Sequence, residues 1–226
     1  MAIKIEVTTD LILSLYNRLN SLFPWQRRWY AQRFQRDRCL HKGRKIGADY
    51  YFALEAVLDA CLTERNKIFI EPAPSEPEDT FYSNAAQYAG HFLGLNIKSG
   101  TQIITFSNGA KIRFLPENHQ GWACFNGDAY VSEWAWFRKP RDIMEIVSSV
   151  TMHEKWRRTY YSSRGDGDNG AGIVFSEKSY FYDVVPTQSY ECGLEHVMKI
   201  DSMNLRGTED YINQMYLCQL PQNQQH

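Results

Sequence analysis

Residues 39–62, CLHKGRKIGADYYFALEAVLDACL, join a short apolar run to a long helical pattern through a basic, glycine-flanked loop. The apolar run predicts a buried strand, and residues 41–49 predict a loop at the start of the helix. A helix N-terminus behind a glycine-containing loop directs main-chain N–H groups at anionic oxygens, so this unit is a candidate phosphate site. The helix is predicted from apolar side chains at i, i+3 and i+4 spacing: Tyr51, Leu54, Val57, Leu58, Cys61 and Leu62.

Strands and helices alternate along the rest of the chain. Residues 66–72 and 128–133 predict buried strands and 156–163 predicts a further strand, while 79–93 and 141–153 predict helices. Two alternating runs around Asn108-Gly109 predict a hairpin over 101–116. This order predicts an α/β fold with a mostly parallel central sheet and helices on both faces. Ligands of such sheets bind at the carboxyl ends of the strands, where the loop 41–49 and the ends of 128–133 and 156–163 fall.

The two chain ends are predicted to consist of helices and loops. We expect one domain over residues 1–226, with a helical lead-in over about 1–22 and a C-terminal extension over about 183–226 of short helices and loops. Residues 165–172, GDGDNGAG, predict a flexible loop.

Composition excludes several classes of protein. The net charge is −1, which argues against a dedicated nucleic-acid coat but not against local basic patches. Five scattered cysteines, none in C-x-x-C spacing, indicate neither a zinc site nor a disulfide framework. The N-terminus lacks signal-peptide features, and no apolar run approaches the ~20 residues of a membrane span. We therefore expect a soluble protein in the cytoplasm of its host, with no membrane partner.

The loop Lys42–Asp49 departs from the usual phosphate-loop pattern G-x-x-x-x-G-K-[ST]. Gly47 fits the second glycine, but Ala48 stands in the lysine position and Asp49 in the Ser/Thr position. Taken alone, the motif is weak, and the stretch is more consistent with a basic strand-to-helix turn that binds no ligand.

The strand Ala129–Glu133 ends in one acidic residue. In P-loop ATPases two acids end the corresponding strand; the first holds magnesium through water and the second orients the attacking water. Here Ser132 stands in the metal-holding position and Glu133 in the water-orienting position. Without further context, Glu133 could equally be a solvated carboxylate at a strand end.

Several segments occur together in one order: FPWQRRWYAQRF, HKGRKIGADYYFALEAVLDA, NKIFIEP, FSNGAKIRFLPEN, GDAYVSEWAWF and MHEKWRRTYYSS. The chain resembles, over about residues 20–220, the ATPase domain of terminase large subunits of temperate enterobacterial myophages. The resemblance implies a RecA-like P-loop ATPase of the additional-strand type that uses ATP and Mg²⁺. It implies an adenine contact for Gln26, phosphate contacts for the loop, a catalytic role for Glu133, and coupling of hydrolysis to movement for the last segment. The implied nucleotide-binding residues are Gln26, Lys42, Arg44, Lys45, Gly47, Ala48 and Asp49, and the implied coupling residues are Tyr160, Tyr161, Ser162 and Ser163.

Several departures from the family concern hydrolysis. Asp49 replaces a threonine that holds magnesium, and Ser132 replaces the metal-holding aspartate. Residues 116–120 contain no arginine, where relatives carry a basic residue, and a nuclease domain, which the family has after about residue 220, does not follow. The two replacements could keep one hydroxyl and one carboxylate near the metal. A carboxylate beside the triphosphate, however, costs on the order of 4 kcal/mol per charge pair at ~4 Å unless a metal intervenes. We therefore expect hydrolysis to be weakened or lost.

Three functional hypotheses follow. The first is a motor module for phage DNA packaging that acts as a ring of copies around double-stranded DNA, with a terminase small subunit and a portal or procapsid as partners. The second is a non-catalytic, terminase-like interaction protein, a decoy or adaptor that engages the packaging apparatus. The third is a nucleotide binder unrelated to packaging.

Overall fold

The computed structural model describes residues 3–76, 78–100, 102–163, 181–187, 190–192 and 208–219. Six helices are described: α1 (Thr9–Arg18), α2 (Pro24–Ala31), α3 (Ala48–Thr63), α4 (Asn84–Leu93), α5 (Pro140–Val150) and α6 (Glu209–Met215). Eight strands are described: β1 (Ile3–Ile5), β2 (Asp37–Lys42), β3 (Lys67–Glu71), β4 (Gln102–Phe106), β5 (Lys111–Pro116), β6 (Asp128–Ser132), β7 (Arg158–Ser162) and β8 (Phe181–Val185). Short 3-10 helices lie at Leu19–Ser21, Trp122–Cys124, Trp134–Trp136 and Tyr190–Cys192.

The strands form one sheet in the order β1-β4-β5-β3-β6-β7-β2-β8. Strands β4 and β5 pair antiparallel, as the Asn108-Gly109 turn predicts, and the other described pairs are parallel. The α/β prediction with a mostly parallel sheet is confirmed. The carboxyl ends of β2, β3, β6 and β7 therefore lie along one edge.

Strand β7 lies between β2 and β6, with Cys39 opposite Tyr160 on one side and Val131 opposite Tyr160 on the other. This inserted strand is the feature that the additional-strand type implies. Strand β2, which ends at Lys42, and strand β6, which precedes Glu133, are therefore not direct neighbours, because β7 separates them.

Side chains of the central strands alternate between two hydrophobic cores. In β6, Tyr130 packs in the core under α1–α4, whereas Ala129 and Val131 pack in the core under α5. In β7, Tyr161 packs in the core under α1–α4 and Tyr160 packs in the core under α5. Because successive residues of a strand point to opposite faces, this division means that helices cover both faces of the sheet.

Local sequence explains where the helices begin. The Thr8 hydroxyl accepts a hydrogen bond from the Leu11 N–H at 3.2 Å, and Ser83 caps α4 by accepting from the Ala86 N–H at 2.9 Å. Pro24 occupies the first turn of α2, where its missing N–H costs nothing. Helix α3 starts after Gly47, whose left-handed φ of 77° favours a glycine.

The two chain ends contribute more to the sheet than predicted. The lead-in is helical from Thr9, but residues 3–5 form the edge strand β1 beside β4. The C-terminal extension includes β8, which pairs with β2 and makes β2 an interior strand. Both strands are short, and their pairing partners lie far away in sequence, so local pattern does not reveal them. The loop predicted over 165–172 lies outside the described residues, and no helix in the described part of the chain is long and apolar enough to cross a membrane.

Candidate nucleotide site

The loop between β2 and α3 has the backbone of an anion-binding turn. Lys45 and Gly47 both adopt left-handed conformations, with φ of 64° and 77°. Within the described part of the chain, the N–H groups of Lys45, Ile46 and Gly47 donate no hydrogen bond. Unpaired N–H groups in a left-handed turn that leads into a helix form a concavity suited to phosphate oxygens.

A cavity of about 590 Å³ opens over this loop. Residues 42 and 44–49 line it, together with residues from α4 and from the segments that follow β3 and β6. The Arg44 and Lys45 side chains are exposed, and the Arg44 guanidinium lies 6.0 Å from the centre of the Trp136 ring. Ala48 is the first residue of α3 and is buried. The lining outside the loop consists of Tyr50, Pro72, Asn84, Tyr88, Glu133 and Trp136.

Lys42 and Glu133 meet across β7. The Lys42 ammonium contacts the Glu133 carboxylate, and the lysine side chain is buried. Glu133 has a φ of 49°, which turns the chain sharply out of β6 and into the 3-10 helix that follows. The resemblance implies that Lys42 binds phosphate, but in this structure its charge is directed at the candidate catalytic acid.

Residues at the end of β7 complete the surroundings of Glu133. Its Oε2 accepts hydrogen bonds from the Ser163 N–H at 3.0 Å, the Ser163 hydroxyl at 3.1 Å and the Ser162 hydroxyl at 3.3 Å. Burial alone would raise the pKa of Glu133, but Lys42 and Ser163 outweigh it and hold this pKa below its usual value. Glu133 is therefore an ionised carboxylate in a fixed position.

Asp49 and Ser132, the two altered metal positions, lie together. The Ser132 hydroxyl donates to Asp49 Oδ1 at 3.3 Å. Burial raises the pKa of Asp49, Glu133 raises it further, and Lys42 opposes the rise. The loop and the strand end thus present one carboxylate and one hydroxyl side by side.

These oxygens fit a magnesium ion only in part. Oxygen ligands are what Mg²⁺ prefers, and it commonly takes one or two protein ligands together with phosphate oxygens. The described residues contain no cluster of three or more His, Cys, Asp or Glu side chains suited to a metal. An ion at Asp49 and Ser132 would therefore need the phosphates of a nucleotide as further ligands.

Gln26 lies against the loop, as its proposed place in the site requires. Its Nε2 donates to the Gly47 carbonyl at 3.2 Å, and its Oε1 accepts from the Phe23 N–H at 3.0 Å. The side chain is 2% exposed and does not line the cavity. These contacts anchor the loop to the start of α2, and the adenine contact stays a prediction.

The four coupling residues divide between core and site. Tyr160 packs in the core under α5, and Tyr161 packs against Phe52 with ring centres 4.4 Å apart. Ser162 and Ser163 contact Glu133 directly. The segment is therefore placed to respond to changes at Glu133, although its role in movement stays a prediction.

Glu71, at the carboxyl end of β3, was missed by sequence reasoning. It is buried and accepts a hydrogen bond from the Ser83 hydroxyl. Burial raises its pKa to about 8, and Asp49 adds to the rise while Ser83 and the Asn84 N–H oppose it. The acidic end of the run NKIFIE was the available signal, because β3 ends at the same edge as β6.

The chain is similar in sequence to known phage proteins. Residues 39–178 match the family model described as terminase large subunit, T4likevirus-type, N-terminal. The chain is 27% identical over 230 residues to the "Probable terminase, ATPase subunit" of Haemophilus phage HP1 (strain HP1c1), covering 88% of this chain and 37% of the relative. It is 31% identical over 142 residues to the "Terminase, ATPase subunit" of Escherichia phage P2, covering 62% of this chain and 24% of the relative.

The chain thus spans well under half the length of these relatives. The family match begins in β2 and contains the loop, α3, β3, β6 and β7, which are the elements that build the site. Because this match covers more than half of the chain, the chain belongs to the family of terminase large-subunit N-terminal domains.

Proposed function

We propose that this chain is a terminase-type ATPase module for phage DNA packaging that binds Mg-ATP at the loop Lys42–Asp49 and hydrolyses it slowly or not at all. One observation carries the proposal: the loop, Glu133 and the Asp49–Ser132 pair meet at one edge of a parallel sheet. Nucleotide-binding sheets bind their ligands at this edge.

Binding is supported by the complementarity of the loop to phosphate. Arg44 and Lys45 provide exposed positive charge, and the N–H groups of residues 45–47 are free for anionic oxygens within the described part of the chain. Charge-assisted hydrogen bonds of this kind are shorter and stronger than neutral ones. A cavity of about 590 Å³ has room for more than the phosphates, so the ligand class is a nucleoside triphosphate.

Weak hydrolysis is supported by the exchange at the metal positions. Asp49 and Ser132 would hold a magnesium ion, which supplies neutralisation of phosphate charge when bound. The Asp49 carboxylate, at the start of α3, would also repel the phosphates that the helix N-terminus attracts. Residues 116–120 contain no arginine to offset this repulsion.

Packaging is supported by family membership and by two phage relatives that are named as terminase ATPase subunits. In this proposal the partners are double-stranded DNA, a terminase small subunit and a portal or procapsid. The module would act as a ring of copies, and its place of action would be the host cytoplasm.

Calorimetric titration with Mg-ATP and a phosphate-release assay test the proposal, using the parent chain and a Glu133→Gln variant. We expect weak but measurable binding by both proteins and little or no turnover by either. No binding at millimolar nucleotide would overturn the nucleotide site. Robust turnover by the parent that disappears in Glu133→Gln would instead overturn the weakened-hydrolysis part of the proposal.

A second candidate is the non-catalytic decoy or adaptor, and one observation favours it. Glu133 is fully engaged by Lys42, Ser162 and Ser163, and both polar groups of the Gln26 amide are engaged by main chain. When other groups of the protein already bond the candidate functional groups of a site, those residues can be retained because they stabilise the fold. Failure of the parent to bind Mg-ATP, together with capture of a terminase small subunit or portal protein, would favour this candidate.

A further inference from the structure

Two N–H groups of the phosphate loop bond to the C-terminal part of the chain. The Gly43 N–H donates to the Val185 carbonyl at 2.9 Å, and the Arg44 N–H donates to the Met215 carbonyl at 2.8 Å. Val185 ends β8 and Met215 ends α6. The first half of the loop is therefore held by residues that lie more than 140 positions further along the chain.

Thr187 completes this contact. Its hydroxyl donates to the Arg44 carbonyl at 2.7 Å, and its N–H donates to the Tyr216 carbonyl at 2.8 Å. The Thr187 side chain is 1% exposed, and Val185 and Met215 are equally buried. We call Val185, Thr187, Met215 and Tyr216 the C-terminal clasp.

The fit between loop and clasp leaves no free space. A Cβ at Gly43 would lie 2.2 Å from the Thr187 hydroxyl oxygen and 2.7 Å from the Tyr216 carbonyl oxygen. Approaches this short are not found for real Cβ atoms, so a glycine is needed where loop and clasp meet. The close approach of the clasp therefore explains why residue 43 is a glycine, which the phosphate-loop pattern alone does not explain.

The clasp and Gln26 hold opposite halves of the loop. The clasp binds Gly43 and Arg44, Gln26 binds the Gly47 carbonyl, and the N–H groups of residues 45–47 between them donate to no described residue. Fixing both ends of an anion-binding turn aligns its free N–H groups before the ligand arrives, which lowers the ordering cost of binding. The family match ends at residue 178, so the clasp lies beyond it.

We infer that Thr187 is a positioning residue of the nucleotide site and that the C-terminal clasp pre-organises the phosphate loop for triphosphate. The inference rests on the proposed function, because it assigns the clasp a role in nucleotide affinity. It also implies that β8 and α6, which lie beyond the family match, contribute to the nucleotide site.

The test compares Thr187→Val with Thr187→Ser in the full chain. Valine keeps the shape of threonine and removes the hydroxyl, leaving the Arg44 carbonyl without its donor, whereas serine keeps the hydroxyl. Two readouts are used: Mg-ATP affinity by calorimetry, and hydrogen–deuterium exchange of the Gly43 and Arg44 amides without nucleotide. Thr8→Val is the matched control, because it removes a cap at the start of α1, near the β4–β5 turn and the opposite edge of the sheet.

We expect Thr187→Val to weaken Mg-ATP binding about three- to tenfold, as loss of one hydrogen bond to a positioned loop predicts. Exchange of the Gly43 and Arg44 amides should become faster. Thr187→Ser should restore both values, and Thr8→Val should change neither. Equal affinity and equal exchange in Thr187→Val and Thr187→Ser would overturn the inference, even if both variants are less stable than the parent.

The two readouts separate this inference from the proposed function. If the parent binds no Mg-ATP, the proposed function fails, and the amide exchange still reports whether the hydroxyl positions the loop. If the parent binds Mg-ATP and Thr187→Val binds it equally well, the proposed function stands and the role of the clasp in affinity is wrong.

Discussion

The Lys42 ammonium contacts the Glu133 carboxylate from the far side of β7, so the end of the phosphate-loop strand is tied to the candidate catalytic acid. Both side chains are largely withdrawn from solvent. An incoming triphosphate would compete with Glu133 for this lysine. Nucleotide binding and the protonation state of Glu133 are therefore expected to be linked.

Lys42→Met tests this link. Removal of the ammonium should raise the pKa of Glu133, because burial then acts without its main opposing charge. The free energy of unfolding should fall by about 1–3 kcal/mol, the usual cost of leaving a buried polar group unsatisfied. A carbon-13 NMR titration of the Glu133 carboxyl measures the first effect and urea denaturation the second. Lys45→Met, an exposed position in the same loop, is the control, and an unchanged Glu133 pKa in Lys42→Met would contradict the link.

The double substitution Asp49→Thr with Ser132→Asp should strengthen magnesium-dependent ATP binding more than the sum of the single changes. The two groups lie 3.3 Å apart and would serve one ion, so their effects should couple. Calorimetric titrations of all four proteins with ATP, with and without magnesium, give the coupling. Strictly additive effects would show that the two residues do not share an ion.

Gln26→Ala separates loop support from base recognition. The adenine contact implied by the family resemblance predicts that affinity for ATP falls while affinity for GTP does not. The contacts of Gln26 with Phe23 and Gly47 predict that both affinities fall by a similar factor, and this is the outcome we expect. Titration with the two nucleotides distinguishes the results, and Gln35→Ala, at an exposed glutamine, is the control.

Glu71→Gln should change how stability depends on pH. The pKa of Glu71 is raised to about 8 in the folded chain, whereas an unfolded glutamate ionises near ~4.3. Between these values the unfolded chain releases a proton that the folded chain keeps, so the free energy of unfolding falls as pH rises through this window. Each pKa unit corresponds to about 1.4 kcal/mol, and the glutamine variant lacks this slope. Urea denaturation of both proteins at about pH 5, 7 and 9 measures the difference, and parallel curves would contradict the assignment.

Arg38→Met should destabilise the chain by about 3–5 kcal/mol, because it leaves Glu55 as an unpaired charge in the core. Arg38 donates to Glu55 at 2.5 and 3.0 Å, and both side chains are almost completely buried. Adding Glu55→Leu should recover part of the loss by removing the unpaired carboxylate. Urea denaturation measures the stability of Arg38→Met and of the double variant. An Arg38→Met variant as stable as the parent would show that the Arg38–Glu55 ion pair is solvated.

Local patterns in the sequence were enough for the architecture around β2, β3, β6 and β7. Each of these strands has a short apolar or aromatic centre between polar or glycine-containing loops, and α3 repeats its apolar side chains at helical spacing. These patterns involve residues that are close together in the sequence, so they can be detected without knowledge of the tertiary contacts. The exchanged residues Asp49 and Ser132 could also be recognised by their positions in the family pattern.

Only the tertiary structure decided which groups meet. The insertion of β7 between β2 and β6, the contact of Lys42 with Glu133 and the burial of Glu71 depend on the order of strands, which no short stretch encodes. The same holds for Thr187 and Met215: their segments have no pattern that points to the phosphate loop, and they contact it because β8 pairs with β2. Residue identity determined the chemical groups available to this site, whereas long-range packing determined their partners, because hydrogen bonds and charges act over a few ångströms in space and not along the chain.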